Sequence, residues 1–266
     1  MKKQIKKIKK YIEFTSTLIK QKITQKTWEI SADGKKLKYM LDTVKESKDL
    51  VIVFSACTRS GIPARYNYVR TLKNFQCNKL FILDDLSEDK RGCYYLGKQP
   101  EYPVEKAVEQ LIEIIKNQLN IQRVFYVGSS KGGWAAINFG VSQRDSIIIA
   151  GAPQYKLGQY LSAPANKMTL NAIVPKNYEK GNIEELDKYL ERKIENNHSR
   201  NQKVYLHFSS KEHTYEEHIL YLIKKLQKYS YEVYLDEKNY IDHSDVSLFY
   251  PNFLRRSLSV EGIDDR

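Results

Sequence analysis

The sequence predicts an α/β fold built on a doubly wound, mostly parallel sheet, and three observations predict it. Asp49 to Ser55, DLVIVFS, is a short β-branched run with no polar alternation, the pattern of a strand covered on both faces. Such runs then alternate with helical stretches along most of the chain. One strand-to-helix junction carries Gly128-Ser129-Ser130-Lys131-Gly132, a G-x-S-x-G in the context of a sharp turn at a sheet edge.

The elements follow in order. Ile5, Ile8, Ile12, Leu18 and Ile19 recur at helical intervals among lysines in residues 1–23, predicting a basic amphipathic helix. Its apolar side can dock on the domain or meet an anionic membrane surface. Asp33-Gly34 between TWEIS and KKLKYMLDT is a β-hairpin signal. After the strand at 49–55 come a polar loop, CTRSGIPARYNY, and a short helix. A strand at 79–85, a helix from Val104 to Leu119, a strand at 123–128, a helix from Lys131 and a strand at 146–151 continue the rhythm. Residues 154–202, with Pro164, Pro175 and the charged run IEELDKYLERKIE, interrupt it as a cap or lid insertion. A strand at 203–209, a helix from Glu216 to Tyr229, a strand at 231–237 and a helical stretch around Phe249, Phe253 and Leu254 complete the chain. With no internal repeat or low-complexity linker, the whole of 1–266 reads as one unit.

A net charge of +12 makes polyanions the natural partners. Nucleic acid is disfavoured, because the basic residues are spread along the chain and there is no zinc-finger spacing, RNP-like signature or helix-turn-helix. Cys57, Cys77 and Cys93 lack metal-ligand spacing and are odd in number, so neither a metal site nor a disulfide framework is expected. No apolar run is long enough to span a bilayer, and the basic start lacks the h-region of a signal peptide; a reducing cytoplasm is the expected setting.

The chemistry centres on Ser130. A serine on a tight strand-to-helix turn is held with its oxygen exposed at the carboxyl end of the sheet, the geometry of a nucleophile elbow. In such α/β-hydrolase sheets the acid and then the histidine follow the serine in chain order. His243, in the loop after strand YEVYLDE, is the expected base. Glu212, in the loop SSKEHTYEEH, is the expected acid, while Glu216 and Glu217 already enter a helix and Asp242 and Asp245 flank the histidine too closely. His213 and His218 read as loop and helix-surface residues, and His207 as a satisfied core histidine. An oxyanion hole would take one N–H from Lys131 and another from the loop after the first long strand, at Ala56 or Cys57. Arg59, Arg65 and Lys131 are candidate phosphate contacts at the rim, set against ordinary surface charge.

Five segments, FSACTRSG, ARYNYVRTL, LDDLSEDKRGCYYL, GSSKGG and APQYKLGQYL, stand in an order and spacing that resembles the capsular polysaccharide O-acetyltransferases of the serogroup A meningococcal type. They are more distantly similar to the acetyltransferase-like component of the accessory Sec export system. The likeness runs from about Val51 to Phe253. It implies an α/β-hydrolase fold that moves an acetyl group from acetyl-CoA, a cosubstrate and not a resident cofactor, through the serine to a sugar hydroxyl of a polysaccharide. On the matching motifs Ser130 is the nucleophile, Glu212 the acid and His243 the base. The chain departs from the capsule enzymes in having Glu at the acid position, as the Sec-linked relative does, and in its longer basic N-terminus. A positive surface suits both coenzyme A phosphates and an anionic acceptor, with peripheral contact to a membrane or to capsule-synthesis machinery as a further expectation. A carbohydrate esterase with the same triad, or a non-catalytic glycan-assembly protein on this scaffold, are the competing readings.

Overall fold

The computed structural model describes residues 24–30 and 34–265; the expected amphipathic helix at 1–23 and Asp33 of the expected hairpin turn lie outside them. Strands β1 (Lys26–Glu29), β2 (Lys36–Asp42), β3 (Asp49–Phe54), β4 (Asn78–Leu83), β5 (Arg123–Ser129), β6 (Ile147–Gly151), β7 (Lys203–Ser209) and β8 (Glu232–Lys238) form one sheet. Its order is β1-β2-β4-β3-β5-β6-β7-β8. The β1–β2 hairpin is antiparallel and joins the edge of β4, and every pairing from β4 to β8 is parallel.

Parallel strands need crossover connections, and these are α1 (Pro103–Leu119), α2 (Lys131–Gly140), α3 (Leu157–Leu161), α4 (Lys167–Ile173), α5 (Lys180–Asn196) and α6 (Leu220–Lys228), with α7 (Val246–Val260) closing the chain. The pleat sends alternate residues to opposite faces. In β5, Val124 and Tyr126 join a core beneath α1, α2 and α5, whereas Phe125 and Val127 join the core beneath α7. Both faces are therefore covered, which is why the central strands read as unbroken apolar runs.

Two local expectations change. The short helix predicted after the polar loop is a run of turns, with Tyr68 in the left-handed region (φ 60°), a conformation that an α-helix cannot include. Leu72 and Phe75 of that run still reach the core. The insertion at 154–202 is helical, but its longest piece, α5, buries Leu186, Leu190 and Ile194 in the main core and stacks Tyr189 on Trp134 of α2. Much of the insertion thus forms part of the layer that covers the sheet.

Candidate active site

The site is assembled at the carboxyl ends of β5, β7 and β8. Ser130 follows β5 directly, with φ 53° and ψ −122°, a backbone state strained for any residue with a Cβ. The turn is possible because its neighbours are glycines. A Cβ on Gly128 would lie 2.4 Å from the Gly132 carbonyl oxygen, and one on Gly132 would lie 2.6 Å from that of Phe54. The Ser130 N–H donates to Gly151 O at 2.7 Å. Tyr250, buried in α7, accepts the Gly128 N–H at 2.9 Å and donates to Ile149 O at 2.6 Å, clamping β5 to β6 just before the turn.

His243 sits in a 3₁₀ turn after β8, and Glu212 in the loop after β7. His243 Nε2 is 2.9 Å from Ser130 Oγ, while Nδ1 hydrogen-bonds to Glu212 Oε1. Glu212 is 4% exposed and also accepts from Thr214 Oγ1 at 2.5 Å. The loops that carry the acid and the histidine are tied together by Ser209, whose Oγ donates to Tyr240 O at 2.6 Å and accepts from Tyr240 N at 3.1 Å. With its buried carboxylate against Nδ1–H, the imidazole turns Nε2 toward the serine as an acceptor, the arrangement required to take its proton.

The oxyanion side differs in part from expectation. Lys131 is the first residue of α2, directly after Ser130, where a backbone N–H has no acceptor inside the helix. Ala56 is not a free donor, because its N–H is taken by Asn67 Oδ1 at 2.8 Å. This hydrogen bond fixes the loop after β3, and of the two amides expected there only that of Cys57 has no acceptor among the described residues. Arg91 Nη2 approaches Cys57 Sγ at 3.2 Å, and its Nη1 donates to Ala165 O of the insertion at 3.0 Å, so one guanidinium spans the loop after β3 and the insertion.

Lys131 also corrects the expected phosphate contact. Its side chain is fully buried, with Nζ 3.0 Å from Asp84 Oδ2 and donating to the carbonyls of Asp84 (2.9 Å) and Arg91 (2.7 Å). As the first helical residue it faces the end of β4, where Asp84 accepts also from the Cys93 N–H. It therefore cannot reach a ligand at the rim. Arg59 and Arg65 are exposed, and both line the cleft of about 730 Å³ that opens onto Ser130 and His243.

The remaining histidines separate in an unexpected way. His213 lies in the loop beside the site, its ring 6.5 Å from that of His243. His218, expected on a helix surface, is 2% exposed and its Nδ1 accepts the Lys156 N–H at 3.3 Å. Burial, reinforced by Lys156, pushes its pKa down to about 4. His207 is buried with Nδ1 2.7 Å from Asp236 Oδ2, but its Nε2 has no partner among the described residues, so it is a core histidine only half satisfied. Asn67, Arg91 and Asp84 are the contributors that sequence reasoning missed; their only sequence signal was membership in the recurring loop segments.

No protein-family model matches the sequence, and neither does any curated relative. Solved structures do. The capsule O-acetyltransferase of Neisseria meningitidis serogroup A superposes with a TM-score of 0.70 at 19% identity, over 85% of this chain and 95% of that one. A mutant of that enzyme in complex with CoA matches with a TM-score of 0.70 at 20% identity, over 84% and 91%. The Glycosylation Associate Protein (Gap123) complex from Streptococcus agalactiae matches with a TM-score of 0.71 at 19% identity, over 89% of this chain but 46% of that one. The acetyl ester-xyloside bifunctional hydrolase from Caldicellulosiruptor lactoaceticus matches with a TM-score of 0.59 at 15% identity, over 87% and 90%. With serine hydrolases and esterases among its neighbours, and its parallel sheet, elbow and chain order of Ser130, Glu212 and His243, the chain has the α/β-hydrolase fold.

Proposed function

We propose that the protein is an O-acetyltransferase that carries an acetyl group from acetyl-CoA on Ser130 to a hydroxyl of a cell-surface polysaccharide. The observation that carries the reading is the unbroken row of hydrogen bonds from Glu212 through His243 to Ser130 at the mouth of the cleft. It is supported by the likeness to a capsule O-acetyltransferase and to that enzyme's complex with CoA.

In the first half-reaction His243 Nε2 takes the proton of Ser130 as Oγ attacks the thioester carbonyl. The N–H groups of Lys131 and Cys57 receive the developing oxyanion. Collapse breaks the carbon–sulfur bond, and the imidazolium returns the proton to the departing thiolate. In the second half-reaction His243 deprotonates the sugar hydroxyl, whose oxygen attacks acetyl-Ser130; collapse forms the sugar ester and reprotonates Ser130 Oγ. Glu212 holds the tautomer and stabilises the imidazolium without itself taking the proton. Arg59 and Arg65 are among the cationic groups on the cleft lining that are available for coenzyme A phosphates. With acetyl-CoA as donor, the reaction we propose is a cytoplasmic one; no described helix is long and apolar enough to cross a membrane.

A carbohydrate esterase would use the same row of residues with water as acceptor, and the likeness to an acetyl ester hydrolase keeps that reading in view. Incubation with acetyl-CoA followed by intact-mass measurement and peptide mapping separates the two. An added acetyl group on Ser130, absent from Ser130→Ala, is the expected result. Folded protein that releases no CoA and gains no mass, with or without glycans, would overturn the transferase reading.

A further inference from the structure

A second groove, of about 600 Å³, lies between β2, the loop after β4 and α4. Five lysines line it against two carboxylates, Asp85 and Glu88. Asp85 is already engaged by Lys38. Lys98 Nζ donates to the carbonyls of Asn171 and Val174 and so fixes the α4 wall. Lys36 and Lys90 are exposed and form no ion pair among the described residues. Between the lysines the lining is apolar, with Leu86, Ala172 and Met168, the last 47% exposed. Cations around an apolar floor are what a charged sugar chain requires: the ammonium groups meet its anions and the floor meets the C–H faces of its rings.

The groove is placed beside the cleft by the fold. The strands β3, β4 and β5 run parallel, so the loops that leave their carboxyl ends emerge at one edge of the sheet. The loop at 59–66 links the two depressions. Its Ala64 N–H donates to Lys90 O at 2.7 Å on the groove side, and its next residue, Arg65, lines the cleft that holds Ser130.

We infer that this groove is a remote subsite for an anionic polysaccharide, holding sugar residues of the acceptor chain that flank the one being modified at Ser130. The inference rests on the proposed transferase reading for the identity of the chain, and on the groove's own chemistry for its binding. It makes the enzyme prefer long acceptors, since only a chain that crosses the Ala64–Lys90 wall occupies both depressions.

The test uses full-length Ser130→Ala protein, so that no turnover intrudes, titrated with hyaluronan fragments from disaccharide to dodecasaccharide and, separately, with inorganic polyphosphate. Affinity is expected to rise with chain length. Adding Lys36→Glu and Lys90→Glu should weaken the longest fragments by about tenfold and leave the disaccharide unchanged. Lys224→Glu with Lys228→Glu, exposed on α6, makes the same change in net charge elsewhere and should have little effect. Equal affinity of short and long fragments, equal losses from both charge-reversed pairs, or a loss confined to polyphosphate would each overturn the subsite. Acetylation of Ser130 in wild-type protein reports on the transferase reading alone: its absence, with length-dependent binding intact, would overturn that reading and leave the groove standing.

Discussion

Lys131 and Asp84 form an ion pair in which neither side chain has any solvent exposure, one residue from the nucleophile. The pair joins the first turn of α2 to the loop after β4, and Gly92, at φ 104°, leaves just enough room for it: a Cβ there would lie 2.2 Å from Lys131 Nζ. The residue that we propose as oxyanion donor is thus anchored through its own side chain.

Removal of one partner leaves the other as an uncompensated buried charge. Lys131→Met should therefore cost about 3–5 kcal/mol of stability, read as a lower urea midpoint at unchanged m-value. A midpoint within error of wild type would mean that the pair is not what holds the elbow.

Glu212 is expected to act through the histidine and not through the fold. Glu212→Gln keeps the shape but offers Nδ1 an amide, which can stabilise the wrong tautomer. By the precedent of catalytic triads, the acylation rate should fall on the order of 10⁴-fold while thermal stability changes little. Retention of more than a tenth of the rate would show that His243 is oriented by another group, with His213 the nearest ring.

Much of this site could be read from residue order alone, because it depends on features with short-range signatures. The strand RVFYVG, the G-x-S-x-G after it and a histidine after the last strand are each local patterns, and the parallel sheet brings their ends to one edge whatever the loops do. What escaped is set by contacts between distant segments. A lysine next to an exposed serine reads as rim charge until Asp84 is found beneath it. His218, flanked by Glu216 and Glu217, reads as a surface residue, but a single π-turn at Tyr215–Ile219 advances the helix face and turns the ring inward. That the Ala56 amide is already taken likewise depends on Asn67, which nothing in the local sequence of Ala56 announces.

Asn67 gives the third prediction. Asn67→Ala leaves the Ala56 N–H without its acceptor and frees the loop after β3 to shift the Cys57 amide. The loss should fall on kcat by about tenfold, with the KM for acetyl-CoA nearly unchanged, since an oxyanion donor works mainly in the transition state. Asn67→Asp, which keeps the accepting oxygen, should recover part of it. An effect confined to KM would place Asn67 in donor binding instead.

The buried histidine makes stability depend on pH in a stated direction. His218 has an ordinary pKa of 6.5 in the unfolded chain and about 4 in the folded one. Above pH 6.5 the ring is neutral in both states and contributes no pH dependence. Between pH 6.5 and 4 the unfolded chain binds a proton that the folded protein refuses, so stability falls as the solution is acidified, by on the order of 3 kcal/mol in total from this group. Burial lowers the pKa of His207 as well, which adds to the slope in the same sense. His218→Gln keeps an acceptor for the Lys156 N–H without a titrating ring, and its urea midpoint should be flatter than that of wild type over this window. Parallel curves for the two proteins would show that His218 takes up its proton as readily in the fold as in the unfolded chain.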